Sequence, residues 1–206
     1  MERIPPPINL WGGIEIESPL EVVLAFVAVY PRYESPSASG PASFGEADLR
    51  LANRGGARIA AAEIASILER RSEIESALRS INPAASLARE PRSIPWTELT
   101  RLFESFAGIR GVGLSKMTKA LHPKRPALIP MLDSVVQAYL ARDGSEARPA
   151  ASFGERASDL VRGYKDDLDR NQPALEGLQD ELGRRGHRLT EVRILDVLIW
   201  SALTAI

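Results

Sequence analysis

The sequence predicts an all-α fold of eight to ten helices. Three observations lead there. Apolar residues recur at helical spacing through most of the 206 residues, as in Trp96, Leu99, Leu102, Phe103 and Phe106. Proline and glycine fall where helices start and stop. Alternating apolar–polar runs, the mark of half-buried strands, are nearly absent, with Ile14–Ile16 the one short candidate.

Each element follows from local chemistry. Residues 1–17 hold Pro5-Pro6-Pro7 and Gly12-Gly13 and read as extended chain. Ser18-Pro19 opens a helix to about Tyr30, with Ser as N-cap and Pro in the first turn. The stretch 31–43, rich in Pro, Ser and Gly, reads as a loop. A helix from about Gly45 to Asn53 should end at Gly55-Gly56. Residues 58–71 place Ile59, Ala62, Ile64, Ile67 and Leu68 on roughly one face. Ser72 with Glu75 then reads as a capping box for a helix to about Ile81. A loop at 82–93 precedes a helix from Pro95, then a glycine turn and a short helix at about 114–121. The Asp133 helix runs over about 133–142 and is followed by a polar loop at 143–151. Two helices of alternating charge, near 153–170 and 173–185, follow. Gly186 ends the second, and VRILDVLIWSAL (192–203) reads as a buried final helix in which Arg193 pairs with Asp196 and Trp200 belongs to the core.

Composition narrows the chemistry. The chain contains no cysteine, which excludes disulfides, thiolate nucleophiles and iron–sulfur clusters. Two histidines, His122 and His187, argue against a His-rich metal site, so no resident metal is expected. The run VVLAFVAVY (22–30) is too short to span a bilayer and reads as a buried helix. The N-terminus lacks the apolar stretch of a signal peptide, and a cytoplasmic location without membrane contact is expected.

The charge is unevenly placed. Net charge is −1, but no acidic residue lies between Glu104 and Asp133. That interval carries +5 from Arg110, Lys116, Lys119, Lys124 and Arg125, so the remainder carries −6. It contains the segment GIRGVGLSKMTKALHPKRPALIPMLDSVV. Glycine turns tightly because it reaches positive φ without penalty. The first N–H groups of the next helix have no intrahelical acceptor and favour an anion. Gly111, Gly113, Ser115 and the surrounding cations therefore read as a grip for a nucleic-acid phosphate. No strand precedes the turn and no Gly-Lys-Ser/Thr ends it, so it is not a nucleotide P-loop. The bland alternatives are a solvated basic face, and Asp133 as the N-cap of its helix. His122 reads as a cap on the hairpin helix.

The segment resembles the helix-hairpin-helix motif, and more closely the hairpin-plus-aspartate signature of the helix-hairpin-helix DNA glycosylases. In that family a Leu-Pro-Gly-Val-Gly-like loop precedes a helix, and an aspartate in a Val-Asp-Thr-His-Val-like sequence follows about twenty residues later. Here the loop is Ile109-Arg110-Gly111-Val112-Gly113, and Asp133 stands in Leu132-Asp133-Ser134-Val135-Val136. The GVG turn with KRPALIPMLDSVV also resembles a family of uncharacterised, mostly actinobacterial proteins distantly similar to the glycosylases. The resemblance covers about thirty residues. It implies a single two-lobed helical domain over 1–206 with a central cleft, and a hairpin motif over about 96–121. It implies DNA as partner, through Arg110, Gly111, Gly113, Ser115, Lys116, Lys119, Lys124 and Arg125. It implies Asp133 as the catalytic carboxylate of an N-glycosylase-like hydrolase. No cofactor is expected, and whether a monovalent cation sits on the hairpin carbonyls, as in some hairpins of this kind, is left open by the sequence. A base pocket would draw on Trp96, Tyr139 or Trp11. Two departures limit the likeness. Ser115 stands where bifunctional members carry a Schiff-base lysine, and Lys116 points about 100° away around the helix. Arg110 stands in place of the loop proline. A catalytically inactive helical scaffold that binds a protein partner is the alternative reading.

Overall fold

The computed structural model describes residues 6–30, 37–141 and 151–204. The first half of the predicted Pro/Ser/Gly loop, most of the polar loop at 143–151 and Arg142 lie outside the described residues. Among those described, ten α-helices and one two-stranded sheet form the architecture. Among the described residues, no helix is long and apolar enough to cross a membrane.

The chain opens with an antiparallel pair, β1 (Ile8–Leu10) and β2 (Ile14–Ile16), in the register Ile8 to Ile16 and Leu10 to Ile14. Gly12 and Gly13, with φ of 80° and 77°, make the reversal. Only the second strand is anticipated by the sequence. The hairpin is fastened to the far end of the chain: Asn171 accepts from the Asn9 N–H at 2.8 Å and donates to the Asn9 carbonyl at 2.9 Å.

The helices are α1 (Pro19–Val29), α2 (Glu46–Arg54), α3 (Ala61–Glu69), α4 (Arg71–Ser80), α5 (Trp96–Glu104), α6 (Leu114–Leu121), α7 (Ser134–Leu140), α8 (Phe153–Arg170), α9 (Gln172–Arg184) and α10 (Glu191–Thr204). Most lie within a few residues of the sequence expectation. The Ser72–Glu75 capping box does not form. Helix α4 begins two residues earlier, at Arg71 with Arg70 in the N-cap position. Glu75 instead accepts from the Phe44 N–H at 2.9 Å and from Arg71 at 2.9 Å. The non-local backbone donor outcompetes the local cap.

Helix α10 is the axis of the fold. Eight consecutive residues, Val192–Ile199, are buried, and α1, α7, α8 and α9 pack around it. A helix buried on all sides must be apolar all round, so Arg193 and Asp196 within it need local partners. Helices α5 and α8 approach closely at Gly154, where a Cβ would stand 2.5 Å from the Thr100 carbonyl oxygen. The buried apolar side chains of all these elements join in one cluster. Truncating a fully buried member such as Leu195 to alanine should cost about 2–5 kcal/mol.

Candidate functional site

The segment read as a hairpin is occupied by α5, a turn over 105–113, and α6. Phe106, Ile109 and Val112 face inward and anchor the turn. Gly108 and Gly111 adopt φ of 73° and 81°, conformations that disfavour any side chain. Gly113 differs from expectation. It is the N-cap of α6 in an extended conformation, φ −96° and ψ −175°, and a Cβ there would meet nothing within 4 Å. The tight bend thus belongs to Gly108 and Gly111.

The basic residues divide sharply. Arg110 is exposed at the tip of the turn and Ser115 is half-buried on the first turn of α6. Lys116 is already occupied: its Nζ donates to both carboxylate oxygens of Glu63 at 2.7 Å. Glu63 also accepts from the Ala60 N–H at 2.8 Å, and its Oε1 would lie 2.2 Å from a Cβ at Gly111. A carboxylate from α3 therefore rests against the bend. The Lys116 bond first, and the Ala60 N–H second, hold its pKa below the usual carboxylate range.

Lys124 and Arg125 correct the sequence reading. Both are buried, at 4% and 1% exposure, and cannot reach a phosphate. Lys124 pairs with Asp48 at 2.8 Å and donates to the Ser39 hydroxyl at 2.6 Å. Arg125 donates to the carbonyls of Leu78 and Ile81, at 2.7 and 2.9 Å, and to that of Pro41 at 2.7 Å. It thereby adds a second donor to the Leu78 carbonyl, which already accepts the Ile81 N–H at 3.3 Å, and binds the Ile81 carbonyl at the C-terminal end of α4. His122 is also buried. Its Nδ1 faces the Ile129 carbonyl at 2.7 Å, so it braces the following loop rather than capping α6 through its side chain. Burial first, and the Arg193 charge second, push its pKa down to about 4.

Asp133 is the N-cap of α7. Its Oδ1 accepts from the N–H groups of Val135 and Val136, both at 3.0 Å, which is the capping role the residue type favours. Its second oxygen makes no hydrogen bond among the described residues. Half-buried Asp133 also lines a pocket of about 160 Å³. Lys119, one turn beyond Lys116 on the hairpin helix, lines the same pocket. Burial lowers the Lys119 pKa, and the Asp133 charge opposes that shift.

The pocket walls were not legible in the sequence. Phe26 and Tyr30 from the first helical segment, with ring centroids 4.9 Å apart, meet Trp200 from α10 at 5.8 and 6.2 Å. Trp200, expected in the core, stands half-buried at this wall. The Arg193 guanidinium lies 5.2 Å from the centre of the Phe26 ring. Asp196 forms part of the lining; its Oδ2 accepts from the Met131 N–H at 3.1 Å. Burial raises its pKa to about 7, against the opposing charge of Arg193. The aromatic residues suggested by sequence lie elsewhere. Tyr139 is buried, bonded to Asp167 and accepting from the Trp11 N–H at 2.7 Å, and Trp96 lies under Arg162 at 4.0 Å. Among the described residues, no group of His, Asp and Glu side chains could hold a metal ion.

The model of a family of unknown function, DUF6308, matches residues 26–203, and the chain belongs to that family. No curated protein and no solved structure matches it. The matched stretch holds the hairpin, Asp133 and every wall of the pocket from Phe26 to Trp200, and leaves out the N-terminal strands.

Proposed function

We propose that this protein binds DNA through the hairpin of α5 and α6 and takes one extruded base into the Asp133 pocket. The carrying observation is that Lys119 of the hairpin helix and Asp133 line the same cavity. A sugar–phosphate chain held at the turn would then lie beside a carboxylate and an aromatic wall. The likeness to the helix-hairpin-helix DNA glycosylases, with their two-lobed arrangement, supports the same reading.

The chemistry is consistent with it. An extruded base is held by stacking on aromatic side chains and by hydrogen bonds to its edge. At about 160 Å³, the cavity is smaller than the ~300–1,000 Å³ of drug-sized sites and suits one ring system. Base excision is the catalytic extension. The Asp133 carboxylate would stabilise the cationic sugar as the base departs and orient a water. Two backbone N–H groups fix one of its oxygens, leaving the other to face the substrate.

The hairpin contribution now rests on Arg110, Ser115, Lys119 and the backbone of 111–116, with Lys116 shared with Glu63. Arg110→Glu and Lys119→Glu should weaken duplex binding and flatten its salt dependence. Identical binding of both variants across a salt titration would end the reading. Asp133→Asn keeps a good N-cap while removing the charge, so it should abolish base release without unfolding the protein.

A scaffold that binds a protein partner is the second reading. It is favoured by the internal pairing of Lys116 and Lys124, by the burial of Arg125 against backbone carbonyls, and by Val29 and Tyr30, 67% and 39% exposed. Recovery of a stoichiometric partner after nuclease treatment, with no DNA retained, would support it over the first.

A further inference from the structure

We propose that Asp196 is the proton donor of this pocket, passing its proton to the departing base while Asp133 faces the sugar as a carboxylate. The inference rests on the base-excision reading and adds a residue to it. Asp196 is 2% exposed and lines the cavity with Asp133. One of its oxygens accepts the Met131 N–H; the other, Oδ1, takes no hydrogen bond among the described residues, because the neighbouring Tyr164 hydroxyl gives its proton to the Val192 carbonyl. An unpaired oxygen on a dry carboxyl is costly when ionised and tolerable when it carries a proton.

The groups facing Asp196 come from four other elements and its own. Arg193 lies one turn earlier on α10, Asp133 heads α7, Lys119 projects from α6, Tyr30 follows α1 and Tyr164 projects from α8. The Tyr164 hydroxyl donates to the Val192 carbonyl at 2.5 Å. Burial is the largest influence on Asp196 and the Asp133 charge adds to it, while Arg193 opposes both. Asp133 sits in the contrasting environment, half-buried and with two N–H groups on one oxygen. A dry carboxyl with one oxygen unpaired and a half-buried one held by two N–H groups divide acid and anion roles between them.

The step balances without a co-reactant beyond water. The C1′–N bond breaks and its electron pair leaves with the base. The Asp196 proton goes to a ring nitrogen or carbonyl oxygen of that base. Water adds its oxygen to C1′, and the proton it sheds returns to the Asp196 carboxylate. A base that already carries a positive charge, such as an N7-alkylated purine, leaves neutral and needs no proton.

That difference supplies the test. Single-turnover release is measured on duplexes holding one hypoxanthine, one uracil or one 7-methylguanine, with wild type and Asp196→Asn. Asn is isosteric with the protonated acid, and overlapping melting curves at pH ~6 check folding. Asp196→Asn should slow release of the neutral bases by about 100-fold or more and leave the cationic base nearly unchanged. Equal slowing of all three, as a packing role gives, overturns the proposal, and so does no slowing. Wild type alone gives a second measurement: neutral-base release should fall as pH rises above about 7, and a flat profile there overturns the proposal. Wild type that binds duplex yet releases no base defeats the excision reading itself; activity retained in Asp196→Asn defeats only the role of Asp196.

Discussion

If the hairpin binds DNA as proposed, replacing Glu63 with glutamine should strengthen that binding and steepen its dependence on salt. The Glu63 carboxylate holds Lys116 through two contacts of 2.7 Å, with the two side chains 15% and 23% exposed. While that pair is intact, the Lys116 charge is matched internally and releases no counterion from DNA. Removing the carboxylate charge gives the hairpin one more free cation. Each neutralised phosphate contributes a slope of about −0.9 to log affinity against log salt. The variant should therefore lose roughly threefold to fourfold more affinity than wild type for each fourfold rise in salt. Folding should pay roughly 0.5–1 kcal/mol for the lost pair. The Glu63 pKa is lowered in the folded state, so that stabilisation is complete above the unfolded carboxyl value and disappears as pH falls through the folded one. Fluorescence anisotropy with a labelled duplex over a potassium chloride series measures the slope. Glu181→Gln on α9, where Glu181 pairs with Arg184 and Arg185, controls for net charge. An unchanged slope in Glu63→Gln, or the same steepening in the control, refutes the reasoning.

Two further outcomes are expected. Lys124→Ala should cost about 3–5 kcal/mol in denaturant melts, because it strands Asp48 in a pair whose side chains are 0% and 2% exposed; the salt slope of DNA binding by the folded variant should not change. The third concerns acid. His122 stays neutral in the folded state down to about pH 4, whereas the unfolded chain takes up the proton near pH 6.5. Stability should fall by up to roughly 3 kcal/mol as pH drops through that window, and His122→Asn should remove this component from a pH series of chemical denaturation.

Helix positions were legible because their signals are local. Ser18-Pro19 opens α1, Gly55 caps α2, and Gly186, at φ 88°, follows the end of α9. Asp133 as an N-cap belongs to the same class. Where a distant group competes, local reading fails, as at Glu75, taken by the Phe44 N–H. The cationic run failed for the same reason. Nothing within 108–136 shows that Lys116 meets Glu63, 53 residues earlier, or that Arg125 serves the α4 carbonyls 44 and 47 residues away.

The sequence by itself determined a helical chain, a glycine turn between two of its helices, and an aspartate heading the helix that follows. These depend on torsional preference and on hydrogen bonds that span three or four residues. The tertiary structure decided which charges remain available and where a cavity opens. Phe26, Tyr30 and Trp200 meet because α1 packs on α10, and the Asp196 pKa is raised chiefly because the helices around α10 strip it of water. Charge and solvation depend on neighbours in space, and those neighbours are set by how the helices pack.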